Sequence, residues 1–272
     1  MMIAVAEPAK IDTSVPHPAR VYDYLLGGKD NFEADRAAAE AAIVLFPPTA
    51  QSARANRTFL SRVVRYLTAE AGVRQFLDIG TGLPSAENVH EVAQAVAPES
   101  RIVFADNDPI VLLHARVLLK SSPEGATDYV DADLRDPERI LREARRTLDF
   151  TQPVAVLLLG ILHFIRDSED PSGIVRTLVD AVPAGSYLAI SHLAPDIHPE
   201  IVEGMRRMNE QNPRMHFELR ERDQVTAFFD GLDLVEPGVV PISKWRPRSE
   251  AEAEAVGTLW GGVARKPGQA PC

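Results

Sequence analysis

The sequence predicts an α/β protein, with a mostly parallel sheet covered on both faces and an all-helical leader in front of it. Three observations carry this. From residue 73 on, short apolar runs alternate with amphipathic stretches, the pattern of strands joined by crossover helices. From residue 20 to 72 the apolar spacing is helical throughout. Near the end, "LDLVEPGVVPISKW" and "TLWGGVARK" read as two strands without a full helix between them, which suits an antiparallel edge pair.

Taken in order, residues 1–19 are rich in Pro and Ala and form a flexible tail tied down only near "PHPAR". The leader spans 20–72. In it, "DNFEADRAAAEAAIVLF" places Asp30 and Glu33 at capping-box spacing, and Pro47-Pro48 ends the helix. A second leader helix carries Phe59, Leu60, Val63, Val64 and Leu67 on one face and stops at Gly72. The main domain spans 73–266, with strands expected at 75–79, 101–105, 128–131, 153–159 and 186–191. The helices between them are expected at 85–96, 109–119, 137–148 and 171–181, and a further helical stretch at about 199–229 walls a substrate cleft. Residues 267–272 are a C-terminal tail.

Composition narrows the function. The chain has 272 residues, 45% hydrophobic and 25% charged, enough to bury a core. Its net charge of −10 disfavours phosphate backbones, so no nucleic-acid partner is expected. The arginine-bearing stretches "LREARRTL" and "RMNEQNPRMHFELRERD" mix in acids at helical spacing, as solvated faces do. Cys272 is the single cysteine, which excludes an intrachain disulfide and suits a reducing, cytoplasmic setting. "PVAVLLLGILHFI" is shorter than the roughly 20 residues of a membrane helix, so no membrane partner is expected.

The chemistry gathers at strand ends. "FLDIGTGLP" leaves a strand through Gly80 and Gly82, which let the backbone approach a ligand, and Pro84-Ser85 then open a helix whose free N–H groups favour an anion. "RIVFADNDP" ends its strand at Asp106, where a carboxylate can accept both hydroxyls of a ribose. "DYVDADLRDP" puts Asp133 at the next strand end, where it can accept from an adenine amino group. A nicotinamide dinucleotide would want G-x-G-x-x-G, but Ser85 stands at the last glycine and Asp78 would face a pyrophosphate. A sulfonium cofactor with a free ammonium would welcome that acid. This points to S-adenosylmethionine, although a turn with no ligand is the plainer reading of the glycine pair taken alone.

These motifs resemble the first three of the Rossmann-like S-adenosylmethionine-dependent methyltransferases. More narrowly, "PHPARVYDYLLGGKDNFEADR" and "ARANRTFLSRVVRYL" are similar to the leader of a bacterial S-adenosyl methyltransferase family first catalogued as a domain of unknown function, over about residues 16–266. The resemblance implies a seven-stranded sheet with an antiparallel last strand, and S-adenosylmethionine as cofactor with S-adenosylhomocysteine as product. It implies a cofactor-binding set of Asp78, Gly80, Thr81, Gly82, Asp106, Asn107, Asp133, Leu134 and Gly160. Within it, Asp78, Gly80 and Gly82 surround the methionyl end, Asp106 the ribose, and Asp133 with the Leu134 backbone the adenine. Pro84 replaces a third glycine found in many methyltransferases and removes a backbone donor near the methionyl carboxylate.

Outside the cofactor motifs, "RVYDYLLGGKDNF" reads either as a lid with Tyr22, Tyr24, Lys29 and Asn31 facing the site or as a surface hairpin with packed aromatics. It is not a phosphate loop, because Asp23 and Asp30 occupy positions that motif gives to Gly and Ser/Thr. In "LLLGILHFI", Gly160 admits the cofactor and His163 is the candidate catalytic base, with packing or helix capping as its other reading. His192, Asp196 and His198 in "SHLAPDIHPE" are too few and too loosely placed for a metal site. The expectation is a methyltransferase acting on a small-molecule acceptor, since no N-P-P-Y-type tetrapeptide follows the fourth strand. The competing expectation is a cofactor-binding regulatory protein without transfer chemistry.

Overall fold

The computed structural model describes residues 12–118, 120–211 and 215–268. Of the expected tails at 1–19 and 267–272, residues 1–11 and 269–272 lie outside them, as does the expected helix end at residue 119; Pro18 and Ala19, placed in the expected N-terminal tail, instead open the first helix.

The leader forms three helices, α1 (Pro18–Leu25), α2 (Glu33–Leu45) and α3 (Thr49–Ala69). Phe59, Leu60, Val63, Val64 and Leu67 lie buried along one face of α3, as their spacing requires. The cap of α2 lies two residues later than expected. It is Phe32, whose N–H donates to Asp35 Oδ2 at 2.8 Å, so Asp35 rather than Glu33 closes the box.

The sheet strands are β1 (Gln75–Ile79), β2 (Arg101–Asp106), β3 (Ala126–Asp131), β4 (Ala155–Leu159), β5 (Tyr187–Leu193), β6 (Asp233–Leu234), β7 (Val240–Pro241) and β8 (Leu259–Arg265). Their order is β3-β2-β1-β4-β5-β8-β6, with β7 also paired to β8. The first five are mutually parallel, and β8 runs antiparallel to β5 with Tyr187 opposite Arg265. The Rossmann-like class is as expected. The strand count differs by one, because the segment around Pro237 meets β8 in two short pieces rather than one strand, and a proline withholds a ladder donor.

The crossover helices are α4 (Val89–Val96), α5 (Pro109–Leu118), α6 (Pro137–Ala144) and α7 (Pro171–Asp180), followed by α8 (Ile201–Gln211), α9 (Arg222–Ala227) and α10 (Glu250–Glu254). α4 does not open at Ser85: Glu87 takes a left-handed φ of 57°, which breaks helical geometry for a residue with a Cβ. Asn88 becomes the cap, with its N–H bonded to Glu91 Oε2 at 2.9 Å. α6 stops four residues short of expectation, and the expected helix at 199–229 is two helices, α8 and α9.

Strand residues alternate between two cores. Leu77, Val103, Val156 and Leu158 join one with Ile140, Ile174, Leu178 and Phe228. Phe76, Ile102, Phe104 and Leu157 join the other with Phe59, Val63, Val92 and Trp245. A third cluster, of Val21, Ala38, Ala39, Ala42, Met205, Met208 and Met215, binds α1 and α2 to α8. The leader thus reaches across to the C-terminal ends of the strands. There β1 and β4 are neighbours whose crossovers run in opposite directions, the switch point where open α/β sheets bind ligands.

Candidate active site

The ends of β1, β2, β3 and β4 border one cavity of about 690 Å³, within the roughly 300–1,000 Å³ of small-molecule sites. Past β1, Gly80 and Gly82 take φ of 73° and 67°, a region side chains resist. A Cβ on Gly80 would stand 2.6 Å from Ile161 Cγ1, while one on Gly82 would meet nothing within 4 Å. The first glycine lets the turn pack, and the second leaves space over it. Asp78 Oδ2 accepts from Thr81 Oγ1 at 2.8 Å. Burial pushes the Asp78 carboxyl up to about 6, against the pull of Thr81 and Arg57.

At the end of β2, Asp106 Oδ2 accepts from the Gly82 N–H at 2.9 Å and Oδ1 from the Asp108 N–H at 2.9 Å. The first bond ties the glycine turn to the second strand, and the other closes the loop that follows it. Burial again raises the carboxyl's pKa. A carboxylate has about four acceptor positions, so both oxygens retain capacity for a ligand hydroxyl. Beyond β3, Asn107 Nδ2 donates to Asp133 Oδ2 at 2.7 Å, and Arg135 pairs with Asp133 at 3.1 Å and with Glu169 at 2.6 Å. Leu134 is buried beside them.

Beyond β4, Gly160 has φ 74°, and a Cβ there would lie 3.1 Å from Asn56 Nδ2. His163 follows in a single 3₁₀ turn, Leu162–Phe164. It is 6% exposed, and its Nδ1 is buried without a hydrogen-bond partner among the described residues. Its ring lies 4.4 Å from Phe164, 5.9 Å from Phe217 and 5.7 Å from His192 between centroids. Burial first, then His192 and Arg220, hold its pKa well below the usual imidazole value. It is therefore neutral at neutral pH. Arg220 Nη1 lies 2.8 Å from His192 Nε2, and His192 Nδ1 lies 2.8 Å from the Leu193 carbonyl. A guanidinium can only donate, so Nε2 accepts and Nδ1 carries the proton. The other end of Arg220 pairs with Asp167 at 2.6 Å.

All nine expected cofactor positions and His163 border the cavity, but the four leader positions divide. Tyr22 lines it, donating to the Ala53 carbonyl at 2.9 Å and accepting from Asn56 Nδ2 at 3.2 Å. Asn56 Oδ1 in turn accepts from Ser191 Oγ on β5 at 2.7 Å. Tyr24, Lys29 and Asn31 lie off the lining. Tyr24 bonds Glu40, Lys29 is exposed, and Asn31 donates to Asp23 Oδ2 at 2.8 Å and the Gly28 carbonyl at 3.1 Å. Two residues along a helix turn a side chain by about 200°, which sends Tyr22 and Tyr24 apart. Of the histidine-rich loop, Asp196 accepts from Trp260 Nε1 at 2.8 Å and His198 faces Glu200 at 3.2 Å, so the three side chains serve separate partners.

Sequence reasoning missed a buried ionic cluster beside Asp106. His17 Nδ1 lies 3.0 Å and Arg20 Nε 3.3 Å from Asp108 Oδ2, and Arg20 Nε lies 3.6 Å from Asp35. The His17 N–H also donates to Asp35 Oδ1 at 2.9 Å. The signal was present as a second acid two places after Asp106 and as the basic pair in "PHPAR", but nothing in either stretch says that the two meet.

A switch-point cavity bordered by carboxylates from three strand ends and by residues of the helical leader lies where open α/β sheets take nucleotide-like ligands. The chain belongs to the S-adenosyl methyltransferase family, which it matches over residues 4–267, and is an S-adenosylmethionine-dependent methyltransferase. It is similar to a DUF574-family protein from Streptomyces avermitilis, 47% identical, covering 95% of this chain and 100% of that one with a TM-score of 0.91. It is also similar to a candidate methyltransferase from Thermobifida fusca, 41% identical over 97% of this chain and 100% of that one, TM-score 0.87. Human N-acetylserotonin methyltransferase in complex with S-adenosylmethionine shares the fold at 14% identity, over 93% of this chain and 63% of that one, TM-score 0.50. No curated protein matches. Among the described residues no helix is long and apolar enough to cross a membrane.

Proposed function

We propose that the enzyme methylates a small-molecule acceptor held between the cofactor motifs and the leader, with His163 receiving the acceptor's proton. When bound, S-adenosylmethionine supplies an electrophilic methyl group. The residues present fit that cofactor. Asp78 would hold the ammonium, Asp106 the ribose hydroxyls, and Asp133 with the Leu134 backbone the adenine, while Gly82 and Gly160 leave the cradle free of side chains. The observation that carries the reading is one cavity running from these carboxylates to a neutral, buried His163. A neutral imidazole can take a proton, and a buried one is held in position by its neighbours. The leader covers the cleft through Tyr22 and the segment from His17 to Arg20, which suits an acceptor small enough to be enclosed.

The test is incubation of the purified protein with S-adenosylmethionine and mixtures of small protic compounds, followed by mass spectrometry for methylated products. A methylated small molecule together with S-adenosylhomocysteine supports the reading. Methylation confined to added protein or nucleic acid contradicts it.

A further inference from the structure

The part of the cavity away from the strand-end carboxylates has a different chemistry. Met205, Met208, Met215, Phe164, Phe217 and Phe46 line it. The three methionines belong to the cluster that joins the leader to α8, and Phe164 and Phe217 pack on that cluster with ring centroids 5.1 Å apart. Three arginines of the lining are engaged elsewhere. Arg135 is paired with Asp133 and Glu169, Arg20 with Asp108, and the Arg57 guanidinium donates to the Ala86 and Glu87 carbonyls at 3.2 Å. His216, also on the lining, faces Glu218 at 3.3 Å. Against this apolar wall stands His163, more than nine-tenths buried and with no hydrogen bond from its Nδ1 among the described residues.

We infer that this lobe binds a neutral aromatic acceptor bearing one hydroxyl, with the ring between the methionine and phenylalanine side chains and the hydroxyl hydrogen-bonded to His163. This rests on the reading of the cavity as the S-adenosylmethionine site. A carboxylate or ammonium in the lobe would lose its water without gaining a counter-ion. Thioether sulfurs make favourable contacts with aromatic rings and adapt to their outline. A single hydroxyl can hydrogen-bond the His163 imidazole, the polar group that faces the aromatic and thioether side chains of this lobe.

The test is calorimetry on the full-length protein. S-adenosylhomocysteine is titrated first. The saturated protein is then titrated with 2-naphthol, naphthalene, 2-naphthoate and 2-naphthylmethylammonium, for the wild type and for His163→Phe. The expected result is that 2-naphthol binds the wild type at least roughly tenfold more tightly than either charged probe and more tightly than naphthalene. In His163→Phe its advantage over naphthalene disappears. The charge series on the wild type decides the matter even if that variant fails to fold. Equal or tighter binding of the carboxylate or the ammonium, or no preference for naphthol over naphthalene, overturns the acceptor class alone. Failure of S-adenosylhomocysteine to bind overturns the cofactor reading and this inference with it.

Discussion

Thr81 Oγ1 donates to Asp78 Oδ2 across 2.8 Å, yet this bond leaves the Asp78 carboxyl with a pKa raised to about 6 by its burial. A carboxyl whose folded pKa exceeds its unfolded value binds more protons in the folded state between the two. Its ionisation therefore lowers stability as pH rises from about 4 to about 6. Above that window the empty protein is destabilised by roughly 2–3 kcal/mol through this one group. Asp78→Asn should raise the thermal midpoint of the cofactor-free protein at pH 8, with the gain fading below pH 4, while weakening cofactor binding. Midpoints of both proteins measured across pH check this, and a gain that does not depend on pH would count against it.

Affinity for S-adenosylhomocysteine should follow the same ionisation. If Asp78 holds the cofactor's ammonium, binding strengthens as pH rises through about 6 and then levels off. The pH profile of the dissociation constant should lose this step in Asp78→Asn.

Arg20 stands 3.3 Å from Asp108 and 3.6 Å from Asp35, and all three side chains are buried. Arg20→Ala leaves two buried carboxylates without their cation, a loss of about 3–5 kcal/mol. Thermal denaturation should show a midpoint lower by roughly 6 °C or more. Because the segment from His17 to Arg20 lines the cavity, cofactor affinity should fall as well.

His163→Ala should keep its affinity for S-adenosylhomocysteine and lose turnover by roughly 10²–10⁴, the usual contribution of a positioned proton acceptor. Rate and affinity measured on the same preparation separate this from a folding defect. Equal losses of both would assign His163 to packing.

Gly160→Ala places a Cβ 3.1 Å from Asn56 Nδ2 at a φ of 74°. The conformational penalty alone is about 1–2 kcal/mol. The variant should be measurably less stable and should bind the cofactor more weakly, because Asn56 must move and its bond to Ser191 loosens. Chemical denaturation and calorimetry test the two effects.

The sheet was legible because its signal is local and periodic. β1 runs from Gln75 to Ile79 as expected, and β2, β4, β5 and α7 fall within two residues of expectation at each end. The strand-end residues could be proposed for the same reason, since Asp78 and Asp106 are the first polar residues after an apolar run and Asp133 follows two places after the acid that closes its strand. The local details that failed were decided by a single backbone dihedral or side-chain bond, as with Glu87 before α4 and Asp35 at the start of α2. The leader's role was only partly legible. Which of Tyr22 and Tyr24 faces the cavity depends on how α1 docks, and the meeting of His17 and Arg20 with Asp108 joins segments about 90 residues apart. Long-range juxtaposition of that kind leaves no periodic trace in a single sequence.

Asp106 borders the cavity, holding the glycine turn through Oδ2 and its own strand-end loop through Oδ1. The measurement that tests its cofactor role most directly is calorimetric titration of the wild type and Asp106→Ala with S-adenosylhomocysteine, with NAD as control. The predicted result is one micromolar site in the wild type, no NAD binding, and a loss of about 1–3 kcal/mol in the variant. Unchanged affinity in a folded Asp106→Ala protein, or NAD bound as tightly as S-adenosylhomocysteine, would contradict the assignment of the strand ends to the cofactor.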